Sequence, residues 1–193
     1  MPFEGLSDNL VMAAFYGCDD SAFAEIVRRW EKQLYWYFRR CGWSHEDAEE
    51  LTQETLMKVY WTKHSGRGRY DPSRPFPAWI YRIAHNVAES RRRSERRRPR
   101  LVPLNEDATS ENPSPDKLSE LRDILDAMLG DLGDCLKKLP KREREFLALW
   151  EGAYGELSLT EIAEVWGISV PTVHRVKMRA LAMLRKCLEA KGY

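Results

Sequence analysis

The chain has 193 residues, 43% of them hydrophobic, enough to bury one ordinary core or two small ones, which excludes disorder throughout. Its 31 basic and 30 acidic residues leave a formal net charge of +1, so attraction for nucleic acid must come from local segregation of charge. The first residues, Met1 to Asp8, carry no basic leader, and no apolar run approaches the roughly 20 residues of a membrane span. The expectation is a cytoplasmic protein without membrane insertion. Cys18, Cys41, Cys135 and Cys187 are scattered without a CxxC pair, and His45 after Cys41 has no second pair to complete a metal site. All four are expected as reduced packing thiols, with no metal and no cofactor.

Apolar residues recur at helical spacing along most of the chain, and no stretch alternates in the two-residue period of a strand. Phe23, Ile26, Val27, Trp30, Leu34, Phe38 and Cys41 predict a long amphipathic helix that starts after Asp19 and Asp20 and stops at Gly42. A second helix opens at Ser44, which can cap with Asp47, and runs through Ala48, Leu51, Thr55 and Val59 to about Trp61. Gly66, Gly68, Pro72 and Pro75 mark a loop from Thr62 to Pro75. The next helix, from about Pro75 to Arg93, buries Phe76, Ile80, Ile83, Ala84 and Val87.

From Arg96 to Asp116 the helical pattern dissolves around Pro99, Pro103, Pro113 and Pro115, the mark of a linker. Helical spacing returns with Leu118, Leu121, Leu125, Leu129 and Leu132, continues to Leu139, breaks at Pro140, and resumes through Phe146 and Trp150. The predicted fold class is all-α. Two small helical domains, 1–95 and 117–193, are joined by a flexible linker over 96–116.

The second domain contains the most specific local pattern. Ser158-Leu-Thr-Glu161 is a capping box that starts a short helix ending at Gly167, with small Ala163 where a second helix must approach. Ser169 can cap that second helix, and Pro171 falls in its first turn, where a missing amide is tolerated. Ile162, Trp166, Ile168, Val173 and Val176 supply the buried contact of two crossed helices. Left outward are Ser169, Pro171, Thr172, His174 and Arg175, then Met178 and Arg179, a face suited to the major groove of DNA. Ser158 to Leu184 therefore reads as a helix-turn-helix; the plain alternative is a helical hairpin with a solvated basic face.

On the helix from Pro75, the residues Trp79, Arg82, Asn86 and Arg93 share one side, about a quarter turn from the buried stripe. That side runs into Ser90 to Arg100, which holds seven arginines against one glutamate, a cluster that phosphates attract. An aromatic beside guanidinium groups suits unstacked bases. The alternative is a core tryptophan with a solubilising helix end.

Four strings, in this order, resemble a bacterial RNA polymerase sigma factor of the extracytoplasmic-function group: Asp47-Ala-Glu-Glu-Leu-Thr-Gln-Glu-Thr55, Arg74-Pro-Phe-Pro-Ala-Trp-Ile-Tyr-Arg-Ile-Ala-His-Asn86, Leu139-Pro-Lys-Arg-Glu-Arg-Glu-Phe146 and the helix-turn-helix. The resemblance covers nearly the whole chain. It implies a dissociable, non-catalytic subunit that directs core polymerase to specific promoters and helps open the DNA, with region 2 before the linker and region 4 after it. It places Asp47, Glu50, Leu51, Gln53 and Glu54 against the polymerase. The loop from Lys63 to Asp71, with Lys63 and Arg67, falls where the family captures a flipped base, and Trp79, Arg82, Asn86 and Arg93 lie where it contacts melted DNA. Linker residues Glu106, Asp107 and Glu111 would mimic nucleic-acid charge in the polymerase channels.

In region 4 the candidate DNA contacts are Ser169, Thr172, His174, Arg175, Lys177 and Arg179. This chain has Val176 where the family commonly has a basic residue and Lys177 where it has an apolar one, so contacts on that turn do not carry over residue by residue. The segment from Glu151 to Leu157 is also slightly long for the family. The implied partners are core RNA polymerase and promoter DNA, with an anti-sigma factor as an optional third. A helix-turn-helix regulator acting alone would leave the first domain unexplained, a scaffold would weaken the Asp47 to Thr55 docking string, and no nucleophile, base or metal cluster converges for an enzyme.

Overall fold

The computed structural model describes residues 3–65, 67–97, 118–150 and 157–193, and among them the regular structure is entirely helical. The order is α1 (Asp8–Tyr16), α2 (Ser21–Arg40), α3 (His45–Ser65), α4 (Phe76–Arg97), α5 (Leu118–Lys138), α6 (Lys141–Trp150), α7 (Leu159–Trp166) and α8 (Val170–Glu189). Most of the 96–116 linker, with Glu106, Asp107 and Glu111, and most of Glu151 to Leu157 lie outside the described residues.

The first unit packs α2 against α3 and α3 against α4, with α1 laid across α2. The predicted stripes supply its core: Ile26, Trp30, Leu34, Phe38, Leu51, Phe76, Ile80, Ala84 and Val87 are buried. Ser44 starts α3 as expected, its hydroxyl accepting the Asp47 amide at 3.0 Å. The loop expected from Thr62 begins a turn later, because α3 continues to Ser65. Within that extra turn the Thr62 hydroxyl donates to the Val59 carbonyl at 2.6 Å.

Helix α1 was not foreseen. Its buried residues are Val11, Met12 and Phe15, and it is anchored from α2. The Arg29 guanidinium donates to the carbonyls of Phe3 and Leu6 and to Asp8, while the Trp30 indole donates to Asp8 at 3.0 Å.

The second unit folds α6, α7 and α8 around Phe146, Leu149, Ile162, Val173 and Ala180, all fully buried. The capping box forms as predicted: the Glu161 amide donates to Ser158 Oγ at 3.2 Å, and the Ser158 amide donates to Glu161 at 2.7 Å. Gly167 adopts φ 64°, the left-handed conformation that lets α7 turn sharply into α8.

The cysteines depart from expectation. Cys41 and Cys18 are free, but Cys135 on α5 and Cys187 on α8 form a disulfide, with Cα atoms 5.8 Å apart. Scattered spacing concealed the pair because helix packing, not sequence proximity, brings the two together across 52 residues. Closing a loop of that size stabilises by about 3 to 5 kcal/mol in the chain-entropy picture.

The two units also lie against each other, α7 on α4 and α6 on α2. At their junction Glu145 of α6 is buried; Tyr37 of α2 donates to it at 2.9 Å, and His85 Nδ1 of α4 lies 2.6 Å from the same oxygen. Nearby, Lys141 pairs with Glu89 at 2.6 Å, and Arg144 packs on Gly42 so closely that a Cβ there would meet its guanidinium at 2.8 Å. Helix α4 consequently has a second buried side, including Ala78, Tyr81 and Ala88, beyond the single stripe the sequence suggests.

Burial pushes the Glu145 carboxyl up, but the His85 hydrogen bond and charge, followed by the Tyr37 hydroxyl, outweigh it and hold the group below its ordinary value of 4.5. A carboxyl depressed in the folded state stabilises fully above its unfolded pKa and loses that contribution as pH falls through the lower folded value. Replacing Glu145 by Ala strands its partners and is expected to cost about 3 to 5 kcal/mol in urea unfolding near neutral pH. The difference from wild type should shrink as pH falls below the carboxylate range; a cost under about 1 kcal/mol would remove Glu145 as the junction's anchor.

Candidate nucleic-acid interface

Helix α8 begins at the αL turn, so its first two turns project from the second unit. Val173 and Val176 are buried beneath, while Ser169, Pro171, His174 and Arg175 are exposed and Thr172 is half-buried. Ser169 occupies the N-cap position, yet its hydroxyl makes no cap hydrogen bond and instead pairs with Thr172 Oγ1 at 2.9 Å. Arg175 Nη2 donates to that same Thr172 oxygen at 3.2 Å. Three polar side chains are thus linked along one exposed ridge, which reduces the rotamer freedom that binding would otherwise have to remove.

The next turn is used differently. Lys177 is half-buried with its ammonium 4.3 Å from the centre of the Trp150 ring, a cation–π contact, and Arg179 forms an ion pair with Glu143. Glu143 is only 1% exposed, so Arg179 neutralises a buried carboxylate. Both side chains brace α8 on α6.

On α4, Arg82, Asn86 and Arg93 are exposed, on a side distinct from both buried ones. Trp79 is half-buried: its ring packs beside Tyr70 and Phe76 at 5.3 and 5.4 Å, and its indole donates to the Gly68 carbonyl at 3.1 Å. The loop that precedes α4 is pinned to α1. The Tyr70 hydroxyl donates to Asn9 at 2.6 Å, the Tyr70 amide donates to Tyr16 at 2.9 Å, and the Arg69 guanidinium lies over the Tyr16 ring. Arg67 is exposed, while Lys63 pairs with Asp20 at 2.7 Å and sits over Phe15. Part of the arginine cluster is internal: Arg91 pairs with Asp47 and Glu50, and Arg92 with Glu89 while covering the Trp43 ring.

On α3, Glu50, Gln53 and Glu54 are exposed, and Asp47 is half-buried. Leu51 is fully buried and belongs to the core of the first unit, so it cannot present its side chain to a partner without repacking. The same helix side continues to Met57 and Trp61, 52% and 54% exposed, two large apolar groups that sequence reading left out. Met57 lies three residues after Glu54 and four after Gln53, and Trp61 four after Met57, and this helical spacing was the available signal.

Comparison with known proteins decides what these surfaces belong to. The Sigma-70 region 2 profile matches residues 26–98, which hold most of α2 with α3 and α4, and the Sigma-70 region 4 profile matches 135–186, which hold α6, α7 and most of α8. Among relatives, the ECF RNA polymerase sigma factor SigW of Bacillus subtilis is 32% identical over 178 residues, 88% of this chain and 90% of that protein. The chain belongs to the extracytoplasmic-function sigma factors. SigE of Mycolicibacterium smegmatis is 30% identical over 167 residues, 85% of this chain, but the match spans only 60% of that longer protein. CnrH of Cupriavidus metallidurans, solved in complex with the cytosolic domain of CnrY, superposes with a TM-score of 0.62 at 26% identity, covering 95% of this chain and 97% of that one. As a sigma factor the chain binds core RNA polymerase and directs it to promoters.

The division of roles on α8 can be measured. Arg179→Ala should lower stability by roughly 1 to 3 kcal/mol, because Glu143 then lacks its charged donor. Arg175→Ala should leave stability within about 0.5 kcal/mol and weaken promoter-duplex binding by about 1 to 3 kcal/mol. The reverse pattern would exchange the two assignments.

Proposed function

We propose that this sigma factor reads promoters in two places, with α8 on duplex DNA and α4 on the melted strand. In this reading Ser169, Thr172, His174 and Arg175 face the upstream element in the major groove, while Lys177 and Arg179 set the position of α8. Arg82, Asn86 and Arg93 hold the backbone of the opened strand, and the partly open Trp79 ring stands beside them as a stacking edge with Arg67 on the pinned loop. Lys63 holds that loop's approach through Asp20. The observation that carries the reading is the presence, in one chain, of two exposed basic helix faces whose undersides are buried in separate units.

The docking side of α3 presents Glu50, Gln53 and Glu54, extended by Met57 and Trp61, with Asp47 at its start and Leu51 fixing the helix from within. Acidic and amide groups around two exposed apolar side chains fit a partly basic protein surface with an apolar centre. The chemistry of RNA synthesis stays with the core enzyme, and the chain acts in the cytoplasm as a non-catalytic subunit. An anti-sigma factor is a further partner in this reading, and the solved complex of CnrH with the cytosolic domain of CnrY supports a bound protein of that kind.

Purified chain added to core polymerase should yield promoter-specific transcripts, whereas the chain alone should bind duplex promoter weakly. Strong sequence-specific binding without core would overturn the reading. Trp61→Ala, at a site more than half exposed, should weaken core binding about tenfold or more without a change in helicity. Unchanged core affinity would take Trp61 off the docking surface.

A further inference from the structure

The Cys135–Cys187 disulfide joins the first residue of the region 4 match to the residue just past its end, so it brackets the reading unit without entering its core. Among the described side chains of α5, Cys135 is the buried one, yet it lies outside the continuous hydrophobic cluster. The preceding turn stands clear of the fold, with Met128 and Leu129 45% and 58% exposed. Beyond the disulfide, α5 is tied to the chain end by Lys191, which pairs with Asp131 and Asp134, and by the Tyr193 hydroxyl, which donates to Asp131 at 3.0 Å. Helix α8 is the element against which α5 chiefly packs.

This arrangement makes α5 separable. Among its described side chains, α5 is attached by the disulfide, by Leu136 at the edge of the core and by a few surface pairs worth little in water, whereas α6, α7 and α8 keep Phe146, Leu149, Ile162 and Val173 buried in either case. Sigma factors work with RNA polymerase in the cell interior, where thiol pools reduce most disulfides and those that form are commonly redox-sensing. Cys187 is half-buried on the last turn of α8 and so is the sulfur open to attack.

We propose that Cys135 and Cys187 form a reversible thiol–disulfide modification site that docks α5 on α8 when oxidised and releases it when reduced. For reduction, a thiolate of a dithiol reductant attacks Cys187 Sγ, the S–S bond breaks, and Cys135 leaves as a thiolate that takes a proton. The second reductant thiol then resolves the mixed disulfide, so two electrons and two protons pass to the chain and the reductant becomes a disulfide. For oxidation by a peroxide, the Cys187 thiolate takes one oxygen to give a sulfenic acid with loss of one hydroxide or alcohol. The Cys135 thiol then attacks the Cys187 sulfenic sulfur, the S–S bond forms, and that same oxygen leaves as water. Helix α5 leads directly into α6, on which α8 is braced, so its release frees the N-terminal side of the reading unit.

The test uses the full chain, without polymerase, so its outcome is independent of the promoter-reading proposal. Native protein is treated with hydrogen peroxide or with dithiothreitol, then denatured and alkylated. Two alkylated cysteines, Cys18 and Cys41, are expected after peroxide and four after dithiothreitol. Hydrogen exchange on the native forms should then rise about tenfold in α5 on reduction while the α7–α8 turn is unchanged. The Cys135→Ser, Cys187→Ser double variant, which keeps only Cys18 and Cys41 to alkylate, should show the reduced form's α5 exchange under both treatments. Four alkylated cysteines after peroxide, a disulfide that dithiothreitol cannot reach without denaturant, or equal α5 exchange in both states would each overturn the proposal.

Discussion

A buried carboxylate needs donors on every side it shows, and Glu145 finds them in two other helices, Tyr37 of α2 and His85 of α4. That requirement places α6, and with it the whole second unit, on the first. Around it, Arg144 fits over Gly42 because that residue has no Cβ and adopts φ 88°, and Lys141 reaches Glu89. Burial and the charges of Lys141 and Arg92 act in opposite directions on Glu89, and the cations win, holding its carboxyl at about 2. Glu145 and Glu89 are thus each met by a partner from across the boundary, His85 and Tyr37 for the first and Lys141 for the second.

Helix α4 is where this constraint meets function. One side closes the first core through Phe76, Ile80, Ala84 and Val87; a second, with Tyr81 and His85, meets the junction; the third carries Arg82, Asn86 and Arg93 outward. With two sides fixed by packing, the outward side has a defined direction relative to α8. Partner choice separates the basic residues in the same way. Arg91, Arg92 and Arg179 answer acidic groups of the chain itself, while Arg175 stays on the exposed ridge with Ser169 and Thr172.

Much of this was legible in the sequence because it is local. The stripes of α2 and α4, the Ser44 cap, the Ser158 capping box and the Gly167 turn all depend on residues within a few positions of one another. What escaped depends on distant partners. Helix α1 is held by Arg29, the second buried side of α4 by α7 together with Glu145 of α6, and Cys135 by Cys187. The contacts of Lys177 with Trp150 and of Arg179 with Glu143 likewise join residues that are distant in the sequence. Leu51, within the Asp47 to Thr55 string, lies on the inner side of α3, while the outer side continues to Met57 and Trp61, beyond the string's end.

The central claim is that one chain reads two promoter elements through two separately supported faces. It is tested most directly by selecting active promoters, with the holoenzyme, from a library randomised across both elements, for wild type and for Arg82→Ala. The account predicts two enriched sequence blocks at fixed spacing for wild type, and for the variant a relaxed block next to the start site with the upstream block intact. A single enriched block for wild type, or loss of the upstream block in the variant, would contradict it.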